Sequence, residues 1–197
     1  WPAGTSVDLD LLRAADGSER LALRGDFVRL EDLTPFLAPL QVSPLLASWS
    51  ALAPRGDLHG VDFALTRAAG EPIDYTVSGE FAGLGIEPLE AWPGFASLSG
   101  TVRADSRTGR MELRSLGASL DWPAVFRSEL DVPELRGIVV WRAGQDAVRL
   151  VSDDLLIVTP DATLRSNLEL TLPMDGSSPE LDLRTGVSGF DLAAVQR

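Results

Sequence analysis

Apolar and polar residues alternate with a period of two along most of this chain. In Ile73-Asp74-Tyr75-Thr76-Val77-Ser78-Gly79-Glu80-Phe81 every odd position is apolar or glycine and every even one polar, which places Ile73, Tyr75, Val77 and Phe81 on one face of a strand. The same alternation picks out Val61, Phe63 and Leu65, then Met111 with Leu113, Val148 with Leu150, Leu168 with Leu170 and Leu172, and Leu181 with Leu183. Strands that are dry on one side and wet on the other are the mark of an antiparallel sheet. Turn-forming clusters separate them at Ala69-Gly70-Glu71-Pro72, Ser106-Arg107-Thr108-Gly109, Ala143-Gly144-Gln145-Asp146 and Asp175-Gly176-Ser177-Ser178, and about eleven strands are predicted on this rule.

Helical periodicity is sparse. Between Gln41 and Leu52, Ser43 can cap, Pro44 fits the first turn, and Leu45, Leu46, Trp49 and Leu52 share a face at helical spacing, so a helix is predicted there as a cap over one end of the sheet. Shorter helical turns are expected around Glu31 to Leu37 and at Asp191 to Gln196.

Two glycine-centred patterns recur. Asp57-Leu58-His59-Gly60, Ser97-Leu98-Ser99-Gly100 and Glu134-Leu135-Arg136-Gly137 each read x-Leu-x-Gly, with glycines 40 and then 37 residues apart. A period of this size points to an extended β architecture whose units cannot bury their apolar faces alone. Arg24-Gly25-Asp26-Phe27, Ser78-Gly79-Glu80-Phe81 and Ser188-Gly189-Phe190 are expected to end strands and lead into crossings, the second of them from Leu84 to Trp92. The organisation predicted is a strand hairpin plus capping helix over residues 1–56 and repeated β-groove units over 57–197, within one continuous structural domain.

The shared strand phase predicts one apolar surface lined by Val61, Phe63, Leu65, Ile73, Tyr75, Val77, Phe81, Val102, Met111, Leu113, Ile138, Val140, Val148, Leu150, Leu168, Leu170 and Leu172.

Composition narrows the function classes. The 197 residues are 45% hydrophobic, ample for a core, yet runs such as Leu155 to Val158 fall far short of the roughly 20 apolar residues that span a bilayer. Trp1-Pro2 opens the chain with neither a charged nor an apolar leader region, so a segment of a longer protein is expected. All 17 basic residues are arginine, and 29 acids leave a net charge of -12, which disfavours nucleic acid as a partner. With no cysteine, disulfides, thiolate chemistry and cysteine-based zinc sites are all excluded.

Catalytic constellations are hard to assemble. His59 is the only histidine and falls on the polar phase of its strand; no Gly-x-Ser-x-Gly accompanies it. Asp153-Asp154 read as a solvated loop, since strand neighbours point to opposite faces and cannot pair as a glycosidase dyad. Gly83-Leu84-Gly85 lacks the third glycine of a dinucleotide site. Arg103, Arg107, Arg110 and Arg114 read as a charged hairpin in water, with an anionic headgroup as the alternative. Trp49, Trp92, Trp122 and Trp141 suit either core packing or ligand contact. No enzyme activity, cofactor or metal is expected.

Laid out in order, Val28-Arg29-Leu30-Glu31-Asp32-Leu33-Thr34-Pro35, Ala51-Leu52-Ala53-Pro54-Arg55-Gly56-Asp57-Leu58 and Leu98-Ser99-Gly100-Thr101-Val102-Arg103-Ala104-Asp105 form a series. It continues through Arg110-Met111-Glu112-Leu113-Arg114, Leu120-Asp121-Trp122-Pro123-Ala124-Val125-Phe126 and Ser152-Asp153-Asp154-Leu155. In this the chain resembles the AsmA-like proteins of Gram-negative envelopes, in particular the YhdP branch, which is similar to TamB. The resemblance implies a mostly β fold with a curved, open, taco-shaped antiparallel groove and a few short crossing helices. It further implies a periplasmic protein, anchored in the inner membrane by a helix outside this segment, that moves phospholipid between the two membranes. On that reading the predicted apolar surface is the lipid-binding one, and the partners are phospholipid acyl chains. An inward face packed on a second sheet gives the same alternation, so a closed β-sandwich serving as a structural or protein-interaction module stays open from pattern alone. An enzyme acting on envelope polymers is a third reading, weakened by the missing nucleophile and metal ligands.

Overall fold

A computed structural model describes residues 2, 4–37, 51–68, 71, 73–89, 93–123, 126–174, 177–178 and 180–189. The alternation resolves into β1 (Val7–Arg13), β2 (Glu19–Arg29), β3 (Arg55–Arg67), β4 (Asp74–Ile86), β5 (Gly94–Asp105), β6 (Thr108–Asp121), β7 (Leu130–Ala143), β8 (Ala147–Val158), β9 (Thr163–Pro173) and β10 (Glu180–Ser188). The α-helix α1 (Leu30–Leu37) follows β2 directly. Ten strands therefore stand among the described residues where about eleven were expected. They form one antiparallel meander in chain order, β1 to β10, with β1 and β10 at open edges. A closed sandwich requires a second facing sheet, and the described residues contain none.

Short polar turns make the meander possible. At the β5–β6 tip, Asp105 Oδ1 accepts the backbone N–H groups of Arg107 at 2.8 Å and Thr108 at 2.7 Å, which holds that carboxyl below the ordinary aspartate range. Asp16 does the same for Ser18 between β1 and β2, and its carboxyl is lowered likewise. The helix expected near Glu31 to Leu37 is α1. The cap predicted from Gln41, with Trp49, and the turn at Asp191 to Gln196 lie outside the described residues, apart from Ala51 and Leu52, which are helical.

Gly25 and Gly79 do not end their strands. β2 runs on to Arg29 and β4 to Ile86, and each glycine stands within its strand at a close approach: a Cβ on Gly25 would lie 2.9 Å from Val28 Cγ2 and one on Gly79 3.3 Å from the His59 carbonyl oxygen. The expected crossing from Leu84 is in its first part strand. Asp153 and Asp154 also lie within a strand, at an irregularity of β8, and not in a loop.

That irregularity is one of a series. Register shifts fall between His59 and Asp62 in β3, Phe81 and Leu84 in β4, Ala96 and Gly100 in β5, Arg136 and Val140 in β7, and Ser152 and Leu155 in β8. Gly60 (φ 55°), Gly83 (φ 64°), Ser97 (φ 59°) and Gly117 (φ 68°) take left-handed conformations along this line. A bulge bends its strand and increases the local twist, so a row of them creases the sheet across its strands. The side-chain phase reverses at the crease. Odd residues Val61, Phe63 and Leu65 share a face with even Leu58, and even Leu150 and Ser152 with odd Leu155 and Ile157.

The core sits in the fold of the crease. Phe81, Leu113 and Leu155 are 2%, 7% and 8% exposed, with Leu58, Leu84, Leu98, Leu135 and Val139 packed around them. All three leucines of the x-Leu-x-Gly repeat belong to this cluster. Two of the repeat's glycines lie beneath its large members: a Cβ on Gly100 would come within 3.0 Å of the Phe81 ring and one on Gly137 within 2.8 Å of Leu155 Cδ1. The repeat thus marks where three strands running in the same direction pass through the crease.

Candidate functional site: an apolar trough

Residues directly opposite one another in a ladder project to the same face, so the register assigns each side chain a side. From edge to edge one face carries Leu9 and Leu11, then Leu23, Phe63, Val77 and Ala104 in a single row. Further on it carries Val102, Met111, Val139 and, past it, Trp141, Leu150, Leu170 and Leu181. At about 4.8 Å between strands this apolar face is roughly 40 Å wide. The other face carries most of the charges, including the pairs Arg24–Asp62 at 3.2 Å, Arg149–Glu169 at 2.7 Å and Arg165–Asp154 at 2.9 Å, while Arg13, Glu19 and Arg67 form an ion-paired group at one end of the apolar face.

Of the predicted lining residues, Val61, Phe63, Leu65, Tyr75, Val77, Phe81, Val102, Met111, Leu113, Val148, Leu150, Leu168, Leu170 and Leu172 share the apolar face. Ile73 lies just before β4 and is half-buried. Ile138 and Val140 are placed differently. Their ladder partners are Glu112 and Arg110, so both stand on the charged face, 39% and 40% exposed. Val139 and Trp141 take the inner positions instead, opposite Met111 and Gly109. Trp141 lies across Gly109, where a Cβ would come within 2.0 Å of its ring. Arg136 and Arg142, on the same phase as Ile138 and Val140, were the sequence signal for this assignment.

Burial along the trough is graded. It is nearly complete at the crease and falls toward both edges, where Leu9, Leu11, Leu181, Leu183 and Val187 are 56%, 57%, 45%, 51% and 55% exposed. A curled sheet with no covering layer produces such a gradient, since neighbouring strands shield only the bottom of the fold. Polar side chains enter the bottom at Ser115, Ser152 and Ser166, each buried. Ser115 binds the Ser99 backbone, accepting its N–H at 2.9 Å, and Ser166 lies 3.0 Å from the Thr185 hydroxyl. The Tyr75 phenol, on the trough face, is raised above its ordinary pKa first by burial and then by the negative charge of Asp105.

Elsewhere the candidates from sequence take modest roles. His59 is exposed on the charged face, its ring edge-on to Phe27 at 5.3 Å, with the Arg29 guanidinium 5.9 Å from the Phe27 centroid. Arg103 and Arg110 stand opposite each other on that face, while Arg107 sits in the turn. Trp92 and Trp49 lie outside the described residues.

The family model described as YhdP protein matches residues 1–197. The chain belongs to the YhdP family. YhdP-family chains are bacterial envelope proteins, and one open antiparallel sheet with an apolar inner face is the architecture this member shows. No curated protein and no solved structure matches the chain. Among the described residues no helix is long and apolar enough to cross a membrane, which does not bear on strands that cross as a barrel.

Proposed function

We propose that this chain is a periplasmic segment of an envelope phospholipid transport protein, holding acyl chains against its apolar trough without catalysing a reaction. The observation that carries the reading is the predominantly apolar face that runs across ten strands, left half-exposed at both edges with no second layer among the described residues. Exposed apolar surface of this extent marks a binding site for something apolar. Each methylene moved from water onto it gains at most about 0.8 kcal/mol. Contacts of this kind are non-directional, so a chain can slide along the face without breaking a hydrogen bond. Headgroups remain in water at the open side. Membership of the YhdP family supports the envelope setting.

The test is to purify the chain gently, quantify bound phospholipid by native mass spectrometry and solvent extraction, and repeat this with Val77→Asp. Val77 lies in the trough between Phe63 and Ala104 and is only half-buried, so a carboxylate there can reach water through the open side while breaking the apolar path. The expected result is a folded variant, by circular dichroism, that has lost its acyl chains. A wild-type chain free of lipid, or a folded variant with its full complement, overturns the proposal.

A further inference from the structure

The charged face is interrupted over β6 to β9 by a recess of about 770 Å³. Its apolar side chains include Ile138, Val140, Val151 and Leu156, and it is bordered by Arg110, Arg114, Arg136 and Arg165 together with Glu112, Asp153 and Asp154. An apolar centre with a charged rim rich in arginine is the composition of a protein interface, and two of the rim's carboxylates, Glu112 and Asp154, are already taken up by Arg114 and Arg165. A second observation concerns the arginines. Arg103 is directly opposite Arg110, Arg114 opposite Arg136, and Arg142 opposite Arg149. Like charges facing each other across a ladder destabilise it, and a chain with 29 acids and a net charge of -12 has ample carboxylate to avoid this. Glu112, Glu134 and Glu169 relieve Arg114, Arg136 and Arg149. Arg103, Arg110 and Arg142 have no acidic side chain within 4.0 Å among the described residues.

We infer that the outer face of β5 to β8 is a docking surface for an acidic, partly apolar segment of a partner protein, independent of whatever the trough holds. The partner's carboxylates meet Arg103, Arg110 and Arg142, and its apolar side chains cover Ile138 and Val140. Charge complementarity identifies this occupant: arginine offers planar, bidentate donors to carboxylates and holds its charge at an apolar boundary. Four strands at about 4.8 Å, along some eight residues of each, give roughly 500 Å². That is less than the about 800 Å² per partner of a standard interface, and it suits a short segment that docks reversibly.

The test places a photo-crosslinking residue at Val140 and at Ile138 of the protein at its native length in its own cells, with Thr66 on the same outer face as control. A discrete protein adduct is expected at 138 and 140 and not at 66, and its contact peptide should carry Asp or Glu beside apolar residues. Arg103→Glu with Arg110→Glu should cut the yield about tenfold or more, and Lys in place of the partner's contact carboxylates should restore it. Because both arginines are exposed, the fold should survive; Arg103→Gln with Arg110→Gln provides a milder second variant. No protein adduct at 140, an adduct to phospholipid in its place, or a yield unchanged by charge reversal overturns the inference.

Discussion

Truncating Phe81 distinguishes a creased open sheet from a closed core. Phe81 is 2% exposed at the bottom of the trough, packed with Leu113 and Leu155 and across Gly100. Phe81→Ala removes most of a buried aromatic side chain and leaves a cavity that Gly100, with no side chain, cannot fill. The expected loss is about 3–5 kcal/mol, a large share of the roughly 5–15 kcal/mol of a typical domain. With a urea slope of about 3 kcal/mol/M for a chain of this size, the unfolding midpoint should fall by about 1–1.7 M. Leu183→Ala is the matched control on the same face. Leu183 is 51% exposed, so about half its surface is already in water, and the loss should stay below about 1 kcal/mol. Urea titration followed by tryptophan fluorescence and far-ultraviolet circular dichroism measures both variants. Equal losses would refute the reasoning, since they would mean that Leu183 is covered as deeply as Phe81 and that the trough is closed.

Four further outcomes follow from the same geometry. Val139 packs against the buried cluster of Phe81, Leu113 and Leu155, unlike Val77, so Val139→Asp should destabilise the sheet by several kcal/mol, whereas Ile138→Asp one position away should cost about 0.5 kcal/mol or less; similar midpoints in urea would contradict the face assignment. Gly60→Ala meets nothing within 4 Å and should cost only the left-handed backbone term of about 1–2 kcal/mol. Gly100→Ala, whose Cβ would meet the Glu112 carbonyl at 2.0 Å, should open the β5–β6 ladder and show faster amide exchange there, and unchanged exchange would refute the close approach. Tyr75 is the only tyrosine, so its ultraviolet titration is unobscured. Its midpoint should lie above 10.0, and because the folded pKa is raised, the stability it adds is present below 10.0 and lost as pH rises through the folded value; Asp105→Asn should lower the midpoint only in part, since burial is the larger cause. Asp16 and Asp105 are shifted the other way, so their turn contributions should hold above 3.8 and fade as pH falls through the lowered folded values; carboxyl titration by NMR showing ordinary midpoints would contradict this.

Period-two alternation is a local property, because successive residues of a strand point to opposite sides whatever the strand pairs with. It was therefore enough to determine that the chain is antiparallel β, that its hairpins turn at sites such as Ser106 to Gly109, and that Phe63, Val77, Met111 and Leu170 face one way. The x-Leu-x-Gly repeat was also legible, although its meaning was not: its leucines share the buried cluster at the crease. The tertiary structure alone decided where the phase reverses. A bulge adds one residue to one strand of a pair, and its position depends on the register with neighbours far away in sequence, which is why Leu58 and Val61 can face the same side although they are three residues apart. In β7, Gly137 to Trp141 offers apolar residues on both phases. Only the pairing of Met111 with Val139 turned Ile138 and Val140 outward, beside arginines, and brought Trp141 into the trough. Whether that face met a second sheet or stood open was equally beyond the pattern, since burial against a sheet and exposure to an apolar ligand demand the same side chains; the strand order from β1 to β10 decided it.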